Sequence, residues 1–185
     1  MGCDIHCFLE EYDEQTKKWD LSKDCIEKDS YREGNRAKDF WDDRSYWTFA
    51  WLGCNYRAKS IQYINAPRGL PEDVSETLKQ LEGYWILEND GHNYSHFYFD
   101  ELLEYFEVPV YCKAEFSPEY LAYLKREGKE VWQDPDWYKN IYGTVEKTWT
   151  MPVEEVVNND FINKVKEKAK GRNPKHLRIV FWFDN

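Results

Sequence analysis

Alternating apolar and polar residues open the chain, a pattern typical of a β-strand that is buried on one face. The apolar set in this segment consists of Cys3, Ile5, Cys7 and Leu9. Because successive side chains of a strand point to opposite faces, Asp4 and His6 are predicted to project together from the other face. A polar pair is therefore expected on a sheet whose opposite face meets the core.

The segment LRIVFWFD (177–184) is apolar on both faces, which is typical of a strand in the centre of a sheet. We expect it to lie beside the first strand. Helical spacing and terminal residues predict helices at 45–52, 72–81, 100–106, 117–127, 134–143 and 153–170, and a strand at 93–99. The whole pattern predicts a single compact α+β domain over residues 1–185. Its mixed sheet would have adjacent N- and C-terminal strands, with helices inserted between them.

The composition agrees with one globular domain that has a large core. The chain has 185 residues, of which 42% are hydrophobic and 18% aromatic. Its formal net charge is −10, which disfavours direct binding to nucleic acid and to anionic membranes, because both attract basic surfaces. The acidic balance suits plain solubility, a carboxylate-rich metal site or mimicry of nucleic-acid charge.

The cysteines indicate a reducing compartment. Their number is five, which is odd, and no two of them have the C-x-x-C spacing. The start of the sequence also shows no signal peptide, so we expect free thiols in a cytoplasm. No segment approaches the length of an apolar membrane span, and no membrane partner is predicted.

Two Asp-x-His motifs, Asp4/His6 and Asp90/His92, contain half of the four histidines. Carboxylate and imidazole are ligands that divalent zinc and manganese accept, so we predict that these motifs share one metal ion. His96 and Asp184 would assist catalysis beside that ion. In the alternative interpretation, each aspartate holds a structural imidazole in one tautomer or caps a turn.

An arginine between proline and glycine, in the segment PRGLP (67–71), is the second candidate feature. Arg68 in that setting is suited to holding a phosphate or carboxylate, and Arg57 and Arg44 would join it in binding a small anionic ligand such as a nucleotide. The alternative is a rigid turn whose arginine pairs with a nearby acid. Exposed aromatic rings would offer a stacking surface for a base, although most rings must belong to the core.

Several short motifs together resemble an uncharacterised family of short proteins encoded by bacteriophages and prophages. These motifs are MGCDIH at the start, PRGLP, the D-x-H-x-x-S pattern from Asp90 to Ser95, and the terminal RIVFWFDN. The resemblance implies the cytoplasm of a bacterial host and supplies no activity. Asn93 stands where the family usually has serine. Residues 107–150 match nothing in this pattern and are predicted to form a helical insertion that varies within the family.

Three functional hypotheses follow. The first is a small metal-dependent hydrolase, a phosphodiesterase acting on a nucleotide, in which the ion activates water and neutralises charge on phosphorus. The second is a non-catalytic counter-defence protein that sequesters a nucleotide signal or binds a host protein. The third is an acidic decoy that resembles DNA. The only observation behind this third hypothesis is the net charge of the chain.

Overall fold

The computed structural model describes residues 2–54, 58–83, 86 and 91–184. Its strands are β1 (Asp4–Asp13), β2 (Lys18–Leu21), β3 (Ile26–Lys28), β4 (Asn35–Ala37), β5 (His92–Tyr98), β6 (Val110–Phe116), β7 (Val145–Met151) and β8 (Leu177–Asp184). The described helices are α1 (Tyr46–Leu52), α2 (Glu76–Leu81), α3 (Phe99–Tyr105), α4 (Pro118–Glu127) and α5 (Asn159–Ala169). The elements form an α+β fold, as predicted. No helix in the described ranges is both long and apolar enough to cross a lipid bilayer.

The main sheet has the strand order β2-β1-β8-β5, and every neighbouring pair in it is antiparallel. Strands β1 and β8 pair along most of their length, from Asp4 opposite Asp184 to Glu11 opposite Leu177. The prediction that the N- and C-terminal strands are neighbours is therefore confirmed. Seven of the eight residues of β8 are buried, because the strand has partners on both edges and covering elements on both faces.

Local sequence signals explain where the helices begin and end. Helix α4 starts at Pro118 behind the capping hydroxyl of Ser117 and ends at Gly128, whose φ of 65° is left-handed, as the sequence predicted. Helix α2 is shorter than predicted. It begins at Glu76 because the Ser75 side chain accepts the hydrogen bond of the Leu78 amide and fixes the first turn there.

One face of the main sheet packs on α1, α3 and α5 through aromatic rings. Phe49 of α1 meets Phe183 of β8 edge-on, with ring centroids 5.2 Å apart. Trp41 contacts Phe161 of α5 at 5.2 Å, and this layer belongs to the single large hydrophobic core. Rings of this size dominate core energetics. They fix the helical layer against this face of the sheet.

The opposite face of the sheet is held to α2 by a buried ion pair. Glu10 of β1 and Arg178 of β8 are both fully buried, and the Glu10 carboxylate accepts the backbone N–H of Ser75 at 2.7 Å. Arg178 donates to a carboxylate oxygen of Asp73 at 2.7 Å. The segment that leads into α2 is thereby attached to the middle of the sheet.

Residues 107–150 differ from the predicted helical insertion. Beside α4 they contain β6 and most of β7, which pair from Val110 opposite Met151 to Phe116 opposite Val145. The free edge of β6 bonds to the segment around Ile61, which bridges to Cys112. Because Cys112 and Phe116 are buried in the same core as the main sheet, this region is built into the domain.

Candidate functional site

One end of the main sheet gathers most of the predicted site residues. Strand β1 begins there at Asp4, β8 ends there at Asp184, and β5 begins there at His92. The antiparallel topology therefore brings together chain segments that are far apart in sequence. Asp90 lies outside the residues that the structure describes.

The two Asp-x-His histidines lie on opposite faces of this sheet. His6 is paired with Trp182 and stacks on its ring at 5.6 Å. His92 is paired with Phe183 and stacks on that ring at 6.1 Å. Residues 182 and 183 are successive in β8 and point to opposite faces. The structure therefore does not bring His6 and His92 together. The prediction that they share one metal site is wrong.

A bulge in β5 is the physical reason. Ser95 pairs with Phe181, so regular alternation would place His92 opposite Asp184, on the face that carries His6. The register shifts between His92 and Ser95, and Asn93 within the bulge has a φ of 53°. A bulge inserts one residue and turns what precedes it to the other face. His92 consequently points toward the apolar layer.

Asp4 and Arg44 form a hydrogen-bonded ion pair with each other. The Arg44 Nε donates to Asp4 Oδ1 at 2.8 Å, and an Arg44 Nη atom also contacts that oxygen. Both side chains are about half exposed. Asp4, predicted as a metal ligand, and Arg44, predicted to hold substrate, thus form a surface ion pair. This pair also raises the pKa of Arg44.

His6 lies in a polar group with several carboxylates. Its Nε2 is 3.3 Å from Asp184 Oδ2, so Asp184 is a hydrogen-bond partner of His6. Burial raises the pKa of Asp39 to about 6, although the N–H of Cys7, 2.8 Å from Oδ1, and the His6 charge oppose the rise. Burial also raises the pKa of Glu82. This face therefore carries partly buried carboxyl groups beside an imidazole.

His96 and Arg68 take part in backbone and ion-pair contacts along the outer edge of β5. The His96 Nδ1 is 3.0 Å from the Gly69 carbonyl oxygen. Arg68 donates to Glu101 at 2.8 Å and lies over the Phe97 ring at 4.6 Å. This is the contact that the alternative interpretation of Arg68 described, a turn arginine paired with an acid. Arg57 lies outside the described residues.

A different group of metal-ligand atoms lies on the apolar face at the same end of the sheet. The thiols of Cys3 and Cys54 and a ring nitrogen of His92 all lie within 4.8 Å of one another. Cys3 precedes β1, Cys54 follows Gly53 at the end of α1, and His92 starts β5. We call these three residues the Cys-Cys-His cluster. Both thiols are buried, with exposures of 2% and 4%.

Asn93 orients the His92 ring and selects its tautomer. Its amide nitrogen donates to the Gly53 carbonyl oxygen at 2.6 Å, so its Oδ1 is left as the acceptor for His92 Nδ1 at 3.0 Å. A proton on Nδ1 leaves the lone pair on Nε2. That Nε2 is buried and has no hydrogen-bond partner among the described residues. The lone pair is therefore available to a metal ion.

The Cys3 thiol is protonated when no cation neutralises it. Burial raises the pKa of Cys3 to about 12, and the neighbouring Cys54 adds to the rise. A bound divalent ion deprotonates its thiol ligands, and binding then releases protons. The cluster can thus form a set of two thiolates and one imidazole.

Sequence reasoning missed Cys3 and Cys54 as candidate metal ligands because three separate segments supply the cluster, with no motif spacing. It placed Cys3 on the face opposite Asp4 and His6, which is where the structure has it, but had no signal linking Cys3 to Cys54. Comparisons with models of protein families, with curated proteins and with solved structures gave no match to this chain. The function is therefore argued from the geometry of this site.

Proposed function

We propose that the protein binds one zinc ion through the Cys-Cys-His cluster. The observation that carries this proposal is the buried Nε2 of His92, which lacks a hydrogen-bond partner among the described residues and lies within 4.8 Å of two buried thiols. Leaving a buried polar atom unpaired costs about 1–3 kcal/mol. A metal–nitrogen bond would remove that cost.

The ligand types favour zinc over manganese. Thiolate and imidazole are typical zinc ligands, whereas manganese prefers carboxylate and water oxygens. Ligand atoms around tetrahedral zinc lie roughly 3.3–3.8 Å apart, given bonds of about 2.0–2.3 Å. The cluster would need only a small contraction of its side chains to reach that geometry. Asn93 would act from outside the ligand set by orienting the His92 ring.

The burial of the thiols favours a structural ion. Such an ion would join the start of β1, the end of α1 and the start of β5, which also meet through aromatic packing and the hydrogen bond from Asn93 to Gly53. Structural zinc contributes directly to folding free energy. We therefore expect the zinc-bound chain to be more stable than the zinc-free chain.

A metal-dependent hydrolase acting on a nucleotide phosphodiester is the second candidate. Three protein ligands leave one tetrahedral position for water, as in catalytic zinc sites. Bound zinc would supply an activated water and neutralise negative charge on phosphorus. The count of three candidate ligand residues is the observation that favours this candidate.

Metal analysis of the purified chain tests the proposal. We expect about one zinc per chain and, after exchange for Co²⁺, the thiolate-to-cobalt absorption of a sulfur-ligated site. Cys54→Ser and His92→Ala should lose both signals. Cys112→Ala and His96→Gln are the matched controls, since they remove a buried thiol and an imidazole outside the cluster. Folded protein that takes up no stoichiometric zinc on reconstitution would overturn it.

The catalytic candidate has its own test. Zinc-loaded protein is incubated with a chromogenic phosphodiester and with a cyclic dinucleotide. Turnover that disappears in His92→Ala and persists in His96→Gln would support hydrolysis at the cluster. Stoichiometric zinc without turnover would leave the structural role and exclude the hydrolase for these substrates.

A further inference from the structure

A basic cleft lies beside β1, away from the Cys-Cys-His cluster. Its volume is about 550 Å³, which is within the range of roughly 300–1,000 Å³ found for small-molecule pockets. The lining cations are Lys38, Lys164, Lys168, Lys170 and Arg172. The lining carboxylates are Asp24, Asp39 and Glu167. An excess of positive charge is thus concentrated in one cleft of a chain whose formal net charge is −10.

The cations converge on this cleft from separate segments. Lysines at the C-terminal end of α5 suit the helix dipole, and this alone would explain Lys168 and Lys170. It does not explain Lys38, which comes from the segment before α1, or Arg172, which lies beyond the helix end. Lys166 of the same helix points elsewhere, with its ammonium 5.9 Å from the Phe106 ring centroid.

Existing contacts neutralise part of this charge and leave part of it free. Lys168 and Arg172 are paired with Glu11, Lys168 also with Asp24, and Lys164 with Asp160. Among the ion pairs of the described residues, none involves Lys38 or Lys170, and both side chains are exposed. These two lysines therefore supply positive charge that a ligand can use.

The wall of the cleft adds an apolar element. Phe40 lines the cleft and is half-buried, and its ring packs on Phe99 with centroids 6.1 Å apart. The Phe40 carbonyl oxygen accepts a hydrogen bond from Lys164 at 3.3 Å, which holds that ammonium at the cleft. An aromatic ring beside fixed and free cations matches a ligand that has both a flat apolar part and several negative charges.

We propose that this cleft binds a nucleotide through its phosphate groups. Lys38 and Lys170 contact the phosphates, Lys164 adds a third positive charge, and the Phe40 ring contacts the base or the sugar. Inorganic polyphosphate shares the phosphate chemistry but has no part for Phe40 to contact. The proposal does not depend on the zinc site, because the cleft shares no residue with the cluster.

Calorimetric titration of the full chain with ATP and, separately, with inorganic pyrophosphate tests this. We expect saturable ATP binding that weakens as salt is raised, because ionic contacts are screened. The double variant Lys38→Ala/Lys170→Ala should weaken ATP binding by about tenfold or more, since two charged contacts are lost. The control Lys166→Ala/Lys147→Ala loses the same charge outside the cleft and should change binding by less than about twofold.

Further titrations distinguish a nucleotide from inorganic polyphosphate as the ligand of the cleft. Phe40→Leu should weaken ATP binding and leave pyrophosphate binding unchanged. Equal affinity for both ligands would assign the cleft to inorganic polyphosphate and overturn the nucleotide proposal. Absence of saturable binding, or equal losses in the two double variants, would overturn the site itself. The titration is repeated with the His92→Ala variant, which lacks a proposed zinc ligand. ATP binding to this variant should be unchanged, because the cleft and the cluster share no residue.

Discussion

Glu10 and Arg178 face each other across β1 and β8, and both side chains are fully buried. The Arg178 Nε donates to Glu10 Oε2 at 2.8 Å, and its guanidinium lies 4.1 Å from the Trp19 ring centroid. Asp73 accepts a second guanidinium bond. The remaining Glu10 oxygen accepts the Ser75 amide. A buried ion pair of this kind requires every polar atom to be bonded.

Removing one member of this pair should be strongly destabilising. Arg178→Met leaves the Glu10 carboxylate buried without its counter-charge, and we expect the free energy of unfolding to fall by about 3–5 kcal/mol. Urea denaturation measures this change. Arg126→Met, which removes a largely exposed arginine, should cost less than about 0.5 kcal/mol. Similar costs for the two variants would contradict the assigned importance of the buried pair.

Asn93 should affect zinc affinity although it is not a proposed ligand. Asn93→Ala removes the acceptor for His92 Nδ1 and releases the ring from its fixed tautomer. Substitutions of this type weaken metal binding by about 10- to 100-fold. Competition with a zinc-sensitive chelating dye measures the affinity. Asn140→Ala, remote from the cluster, is the control, and an affinity unchanged in Asn93→Ala would refute the orienting role.

Asp39 should make the stability of the protein depend on pH. Its pKa is raised from 3.8 to about 6, so between these values the folded protein holds a proton that the unfolded chain has released. Stability therefore falls as pH rises through this window, and the full cost is present above about pH 6. Asn at this position still accepts the Cys7 N–H and carries no charge.

We accordingly expect Asp39→Asn to stabilise the protein at pH 8 by on the order of 2 kcal/mol and to have little effect at pH 4. Denaturant unfolding at both pH values measures the difference. Asp20→Asn, at an exposed carboxylate, serves as the control for a general charge effect. A gain at pH 8 that persists undiminished at pH 4 would rule out titration of Asp39 as its cause.

Gly143 should be intolerant of any side chain. A Cβ at this position would lie 1.7 Å from the carbonyl carbon of Phe116, which is backbone and cannot rotate away. We expect Gly143→Ala to destabilise the fold by at least about 3 kcal/mol. Gly171→Ala is the comparison, because its φ of 72° gives backbone strain with no atom within 4 Å. That strain should cost only about 1–2 kcal/mol. Thermal unfolding of both variants tests the ranking.

Much of the fold was predictable because its strongest patterns are local. The apolar run of β8 and the alternation of β1 predicted a central strand and its neighbour. Ser117, Pro118 and Gly128 predicted both ends of α4 closely, since capping depends on nearby atoms only. Strand β6 has a period-two apolar set at Val110, Cys112 and Phe116 that sequence reasoning overlooked, whereas β7 is mostly exposed and gives little signal.

The sequence predicted the end of the sheet at which the candidate site lies, but it did not predict which residues form the site. Pairing of the terminal strands brings Asp4, Asp184 and His92 to one end of the sheet, as their sequence positions suggested. The face on which His92 lies depends on one bulge residue, Asn93, whose positive φ no period-two pattern reveals. The likeness to phage-encoded proteins remains a prediction.

The order of strands in the main sheet has a consequence for how the chain acquires its structure. Strand β8 covers residues 177–184, so β5 has no partner strand, and β1 has only the short β2, until that segment has been synthesised. Contacts between such distant segments slow folding, because a long loop must close before they form. During translation the exposed edges and aromatic faces of β1 and β5 should therefore be vulnerable to aggregation, and chaperone binding should act chiefly before β8 is added.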